Sequence, residues 1–309
     1  KWLLNHQAEE ANCTSCHNGN VAAKNIDAEF TGKPSIHPLT LNTGVHDAAE
    51  SALAQTRHVE CIDCHNPHAT NSATGALPGS LAGVRGLSIG GSEVKTITAE
   101  YQLCFRCHAD SPGMPASRTT RQIAQTNARL EFDTVNPAYH PIAGPGKNTN
   151  VPSLLPPWTV NSVMKCSDCH NNNTGPGAGG SGPKGPHGST WAPLLERRYV
   201  TTDNTTESAS NYDLCYKCHN RTSFIREGGA FKDHKKHVVD EKTPCNVCHD
   251  PHGISATQGN STSNSKLINF DTSVVKPNSA GLLKYVSTGP NRGSCYLRCH
   301  GDNHNPESY

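Results

Sequence analysis

Apolar side chains are thinly spread along this chain, and only a few stretches show a period. Residues 47–58, DAAESALAQTRH, begin with acidic positions and predict a short helix. A second helix is predicted over 117–132, with Ile123, Leu130 and Phe132 on a partly apolar side. SEVKTITAEY, at 92–101, predicts a short strand. Segments 143–157, 171–189 and 255–266 have no period and read as loops. No apolar run reaches the length of a membrane span, so none is expected.

Composition sharpens this picture. Leu, Ile, Val and Phe make up about 16% of the 309 residues, below the level of an ordinary globular domain. Low aliphatic content with high charge would imply disorder, but the formal net charge is only +1. Something other than aliphatic side chains must therefore supply the core. Gly and Pro contribute 27 and 21 residues, so regular structure should be sparse. The near-neutral charge gives no reason to expect nucleic acid or an anionic membrane as a partner. The first residue is Lys1 rather than Met, which suggests an exported chain whose leader was removed.

The cysteines carry the chemistry. All fourteen fall into pairs, and six pairs read C-x-x-C-H. These are Cys13/Cys16/His17, Cys61/Cys64/His65, Cys104/Cys107/His108, Cys166/Cys169/His170, Cys215/Cys218/His219 and Cys245/Cys248/His249. The seventh, CYLRCH, has Cys295, Cys299 and His300 and is one residue longer. A disulfide framework explains an even count but not the histidine after every pair. Structural zinc uses facing C-x-x-C knuckles and needs no such histidine. C-x-x-C-H is the signature of c-type haem attachment. With 18 histidines in the chain, seven placed this way by accident has a chance on the order of 10⁻⁹. The two thiols add to the two porphyrin vinyl groups, a single helical turn spans that edge, and the next residue supplies an imidazole to iron. The extra residue at Cys295–Cys299 is read as a small insertion into that turn, so seven covalent haems c are expected. At about 44 residues per haem the macrocycles themselves must form the core. The expected fold is mostly irregular and loop-rich, with short helices and few strands around a continuous stack of seven haems, as one domain over 1–309. Internal repeats run over about 58–140, 158–237 and 238–309, after a one-haem segment 1–57.

Eleven histidines lie outside the motifs. In CHDPH, His252 follows His249 by three residues, which reach at most about 10 Å. That is too short to pass round a macrocycle through Pro251, whose φ is fixed, so His252 serves another haem or lies on the surface. Pro-His recurs after each even-numbered motif, at His68, His187 and His252. The odd-numbered motifs are followed by His37, His140, His237 and His304. These seven match seven irons, with His6, His46, His58 and His234 as alternates. Only Met114 and Met164 exist, so methionine is not a general axial ligand. All-histidine ligation implies low reduction potentials and leaves no iron site open to a substrate. Tyr101, Phe105, Tyr212, Tyr216 and Tyr296 stand next to motifs and are expected on haem edges. No nucleotide loop, paired-carboxylate site or nucleophile–base pair stands out, and no catalytic residue is expected.

With C-x-x-C-H repeated and C-H-x-P-H beside it, the chain resembles the paired-CXXCH multihaem cytochromes. Within them it is most similar to the extracellular cytochrome nanowires of the outer-surface S and E type. The resemblance spans nearly the whole chain through its motifs. It implies electron transfer, a head-to-tail filament of copies of this chain outside the cell, and an external acceptor or redox partner protein. In those filaments one subunit's histidine ligates a haem of the next, a role for which the resemblance offers His6 or His304. Seven haems and the C-x-x-x-C-H motif depart from the four- and six-haem members. Two other readings stay open: a monomeric periplasmic or cell-surface shuttle or complex subunit, and a multihaem reductase, which would need a haem with an open position.

Overall fold

A computed structural model describes residues 4–39, 50, 51, 53, 58–69, 77–225 and 231–309. The helix expected at 47–58 lies largely outside these residues, and His46 wholly so. The chain forms two compact units, interleaved in sequence. Unit one comprises Lys1–Met114 and Lys165–Arg197, with the first four motifs; unit two comprises Pro115–Met164 and Arg198–Tyr309, with the last three. This division does not follow the repeats, because 158–237 is split between motifs four and five.

Both units are loop-rich. In chain order the elements are α1 (Glu9–Thr14), α2 (Asp27–Thr31), β1 (Ser35–Ile36), α3 (Cys61–Cys64), β2 (Gly86–Leu87), β3 (Glu93–Val94), α4 (Glu100–His108) and α5 (Ala128–Glu131). Then follow β4 (Ala138–Tyr139), β5 (Gly188–Ser189), α6 (Asp213–Tyr216), α7 (Arg221–Ile225), α8 (Cys245–Cys248), β6 (Gly253–Ile254), β7 (Lys284–Gly289), β8 (Arg292–Cys299) and β9 (Asp302–Ser308). The helix expected over 117–132 shrinks to α5, because Asn127 caps it late by accepting from the amides of Arg129 and Leu130. Ile123 instead donates its backbone N–H to Asn269 Oδ1 and accepts at its carbonyl from Asn269 Nδ2. The strand expected at 92–101 is reduced to β3, since Gln102 accepts from the Thr98 and Ala99 amides and starts α4.

Hydrophobic clustering is modest. Leu77, Val84 and Ile97 form one cluster in unit one; Val247, Phe270, Val275, Tyr285 and Leu297 form another in unit two. Buried asparagines do much of the remaining work. Asn136 donates to the carbonyls of Leu130 and Glu131 and accepts from the Ala256 amide. Asn172 donates to Pro183 and accepts from Thr174. An asparagine side chain offers donors and an acceptor at once, so it satisfies irregular backbone where no ladder exists.

The two units share a structural repeat. In unit one, Glu29-Phe30 leads to β1, His37 and Pro38; β1 pairs antiparallel with β5, which follows His187. In unit two, Glu131-Phe132 leads to β4, His140 and Pro141; β4 pairs with β6, which follows His252. The registers correspond, Ile36 opposite Gly188 and Tyr139 opposite Gly253. Phe30 meets the His187 ring at 5.7 Å and Phe132 meets the His252 ring at 4.9 Å. Each unit thus holds two histidines in the same two-stranded clip.

A further departure is the sheet β7-β8-β9, a meander in unit two. It contains Cys295 and Cys299, so the seventh motif is a strand and not the helical turn expected. Tyr296 and Leu297 favour the pleated surface, and the pairing of β8 on both edges overrides the motif's local preference.

Candidate metal centres

Local helix geometry builds the motifs. The amide of the motif histidine donates to the carbonyl of the first cysteine in five of them: His17 to Cys13 (2.9 Å), His65 to Cys61 (3.0 Å), His170 to Cys166 (2.8 Å), His219 to Cys215 (3.0 Å) and His249 to Cys245 (2.9 Å). Cys104 to His108 lie within α4. One turn therefore gathers both thiols and the imidazole on one side, because positions i, i+3 and i+4 are neighbours. Asp63 and Asp168, at the third helical position of motifs two and four, accept from the amides of Glu60 and Lys165 and fix the start of the turn. Buried Arg106 grips Asp63 through its carbonyl (2.6 Å) and carboxylate (3.3 Å). No disulfide joins any of the fourteen cysteines.

The assigned helices cover the two thiols of each turn to different extents. In motifs two, three and six both cysteines lie inside a helix, α3, α4 and α8. In motifs one, four and five the helix stops first: α1 at Thr14, a 3₁₀ turn Cys166–Asp168 at Asp168, and α6 at Tyr216. The trailing cysteine then stands one or two residues past the helix. Cys16 accepts from the Ala22 amide (2.9 Å), Cys169 from Glu196 (2.8 Å) and Cys218 from Leu155 (2.8 Å), none of them the i+4 amide that would continue a helix. Tighter i+3 bonds keep these cysteines near their partners: Cys16 to Cys13 (3.1 Å), Cys169 to Cys166 (3.2 Å) and Cys218 to Cys215 (3.3 Å). Cys16 is also exposed, whereas the other thirteen cysteines are partly buried.

The histidines then assemble over long sequence distances. Among the described residues, four pairs of imidazoles lie at nearly constant separation between ring centres: His37 and His108 at 6.3 Å, His65 and His187 at 6.1 Å, His234 and His249 at 6.3 Å, and His237 and His304 at 6.3 Å. The separation has a simple meaning. A metal–nitrogen bond of about 2.0–2.1 Å, plus about 1.1 Å from nitrogen to ring centre, doubled, gives about 6.3 Å. Each pair has the spacing that two imidazoles would have on either side of one metal ion. His140 acts electrostatically on His219, and burial, then His140 and His249, pulls His219 down to about 4.

Tautomers and charge agree with this use. Nδ1 of His37, His65, His140, His170, His237 and His249 faces a backbone carbonyl, of Pro186, Ser80, Pro251, Pro193, Asp233 and Lys266 respectively. His219 shares a hydrogen bond between Nδ1 and Ser153 Oγ at 2.9 Å. An Nδ1–H donated to a carbonyl leaves the lone pair on Nε2, the orientation that supporting groups give to metal-binding histidines. Burial, helped by neighbouring histidines, lowers His187 to about 4 and His234 to about 3, and also lowers His140, His249 and His304. These rings are neutral at pH 7, as ligation requires.

His234, an alternate in the sequence, is thus brought opposite motif six, while His237 stands opposite His304. The two sit at the start of a π-helical turn, Lys235–Asp240. Such a turn is a frequent mark of functional sites, and nothing in the DHKKH spacing announces it. His17 lies close enough to His187 to lower it. His252 binds the Glu131 carboxylate through Nδ1 at 2.8 Å. His68 and His6 are exposed. His58 approaches Glu50 at 3.1 Å. His300 places Nε2 3.0 Å from both Asp203 oxygens.

The motifs also meet one another. The thiols of Cys13 and Cys61 lie close enough to shift each other's titration, as do those of Cys104 and Cys166 in unit one and of Cys215 and Cys245 in unit two. Cys64 in turn feels Cys104 and Cys107, and Cys248 feels Cys295 and Cys299. Neighbouring motifs within a unit therefore alternate between two kinds of contact: leading cysteine to leading cysteine, then trailing cysteine to the next pair. Glu9 joins Cys13 and Cys61, with ligand atoms all within 4.8 Å, a donor set able to hold a soft metal. Both thiols, however, are the motif atoms that haem attachment would consume. No family model, curated protein or solved structure matches the chain.

Proposed function

We propose that this protein transfers electrons through covalently attached c-type haems, one at each of its seven cysteine pairs. The observation that carries this reading is the set of four histidine pairs spaced 6.1–6.3 Å between ring centres, three of which include the histidine of a C-x-x-C-H motif. When bound, the haem iron supplies one-electron chemistry between its ferric and ferrous states. The chain supplies the rest. Its thiols would hold the haem covalently, its imidazoles would ligate the iron, and backbone carbonyls on Nδ1 would hold the rings in place. An iron ligated by two imidazoles would have no place for substrate, which favours conduction over catalysis. Contact between successive motifs supports close spacing of haems within each unit.

The likeness to nanowire cytochromes extends this to a filament of copies outside the cell, passing electrons to an external acceptor. The pairing of His304 with His237 inside the chain leaves exposed His6 as the candidate inter-subunit ligand.

Two measurements test the reading on protein from its native source. Intact mass and the pyridine haemochrome spectrum should give seven haems per chain, with a low-spin spectrum; a haem-free chain would refute it. Electron microscopy without shearing should show filaments with a fixed axial repeat, whereas discrete particles would favour the shuttle.

A further inference from the structure

The seventh motif departs from the other six in its backbone, and its histidine departs with it. In β8, Cys295, Leu297 and Cys299 alternate and share one face of the strand. β9 returns antiparallel through the two-residue turn His300-Gly301, both at positive φ (49° and 92°), as a tight hairpin requires. In this register His304 lies opposite Leu297. Residues opposite each other in an antiparallel pair project to the same face. His304 therefore emerges on the face of the two cysteines, between them along the strand. His237 faces it at 6.3 Å between ring centres, the spacing of the other pairs. The His237 Nδ1–H donates to the Asp233 carbonyl at 2.7 Å, which leaves the lone pair on Nε2.

His300 shows the opposite arrangement. Its place at the hairpin tip takes it off the strand. Its Nε2, the nitrogen that would bind iron, is 3.0 Å from each oxygen of Asp203, and its Nδ1 is 3.5 Å from Thr243 Oγ1. In motifs two, four, five and six the motif histidine instead commits Nδ1. To reach iron, His300 would have to leave the Asp203 pair and unwind the turn.

We propose that His304, not His300, is the axial imidazole of the haem at Cys295 and Cys299, opposite His237, and that His300 with Asp203 closes the hairpin tip. This rests on the haem reading above, but it fails separately. The test uses the haem-loaded protein and its variants, read by intact mass and by carbon monoxide difference spectra, which detect a vacated axial position. His300→Ala is expected to keep seven haems and bind no carbon monoxide. His304→Ala is expected to create one carbon monoxide-binding haem per chain. The reverse pattern would overturn the proposal. His304→Met guards against a His300 variant that fails to load. It should give one haem the spectrum and raised potential of Met/His ligation, and an unchanged all-histidine spectrum would refute the assignment. A wild-type chain with six haems and bare Cys295 and Cys299 would refute this inference alone. A wild-type chain with no haem would refute the function itself.

Discussion

In unit one, Glu29-Phe30 leads over the β1–β5 bridge to His37 and His187; in unit two, Glu131-Phe132 leads over β4–β6 to His140 and His252. The backbones correspond down to the glycine after the second histidine. A Cβ added at Gly188 would come within 2.1 Å of the Glu29 carbonyl, and one at Gly253 within 2.2 Å of the Glu131 carbonyl. What differs is the glutamate's partner. Lys33, four residues after Glu29, holds its carboxylate at 2.5 Å. The residue four after Glu131 is Val135, which is 66% exposed, and Glu131 turns to His252 Nδ1 at 2.8 Å instead. The consequence is electrostatic. Burial, then the charges of His65, His37 and His17, lowers His187 to about 4. Burial also pulls on His252, but the Glu131 carboxylate outweighs it and His252 is raised. One scaffold thus lowers the basicity of one imidazole and raises that of the other. A carboxylate behind a ligating histidine raises its donor strength, so on the proposed haem reading a haem ligated by His252 should be harder to reduce than one ligated by His187.

The largest test breaks both clips at once. Gly188→Val and Gly253→Val each force a side chain against backbone and should each cost about 1–3 kcal/mol in denaturant unfolding. A loss in one unit only would end the equivalence. A smaller change isolates the carboxylate. Glu131→Gln should raise the potential of one haem by about 60 mV, the equivalent of a tenfold shift in preference between oxidation states. Glu29→Gln should move none by a comparable amount, as spectroelectrochemical titration would show. Val135→Lys, by offering Glu131 the partner that Glu29 has, should reproduce part of the Glu131→Gln shift.

The smallest effect is on pH dependence in the haem-free chain. The folded value for His187, about 4, lies below the ordinary 6.5, so its contribution to stability is full above pH 6.5 and is lost as pH falls through about 4. The folded value for His252 is raised, so its contribution is full below pH 6.5 and is lost as pH rises through that raised value. Between pH 6.5 and 4, hydrogen exchange should therefore weaken protection in the first clip and spare the second. Parallel loss in both would show that Glu131 does not govern His252.

The shape of the motifs was legible in the residues because it is local. Cys-x-x-Cys-His is one turn in motifs one to six, and a turn is set by neighbours in sequence. The scarcity of aliphatic side chains likewise implied a loop-rich chain. Where each turn ends was not legible. Cys16, Cys169 and Cys218 fall past their helices, and their carbonyls accept from amides outside the turn, as Cys218 does from Leu155, far away in sequence. The partners of the histidines could not be read from the motifs either. His37 meets His108 and His187 meets His65 through strand pairing and packing across long loops, and no period in the sequence encodes such a meeting. The Glu-Phe and His-Pro spacing common to both clips was a readable signal, but only the register of β1–β5 and β4–β6 gave it meaning. The sequence by itself determined where thiols and imidazoles sit as units of one turn. Tertiary structure decided which imidazoles face each other, that Cys295 and Cys299 lie on a strand, and that Lys33 rather than a histidine takes Glu29. Those outcomes depend on contacts between residues far apart in the chain, whose free energy no local pattern contains.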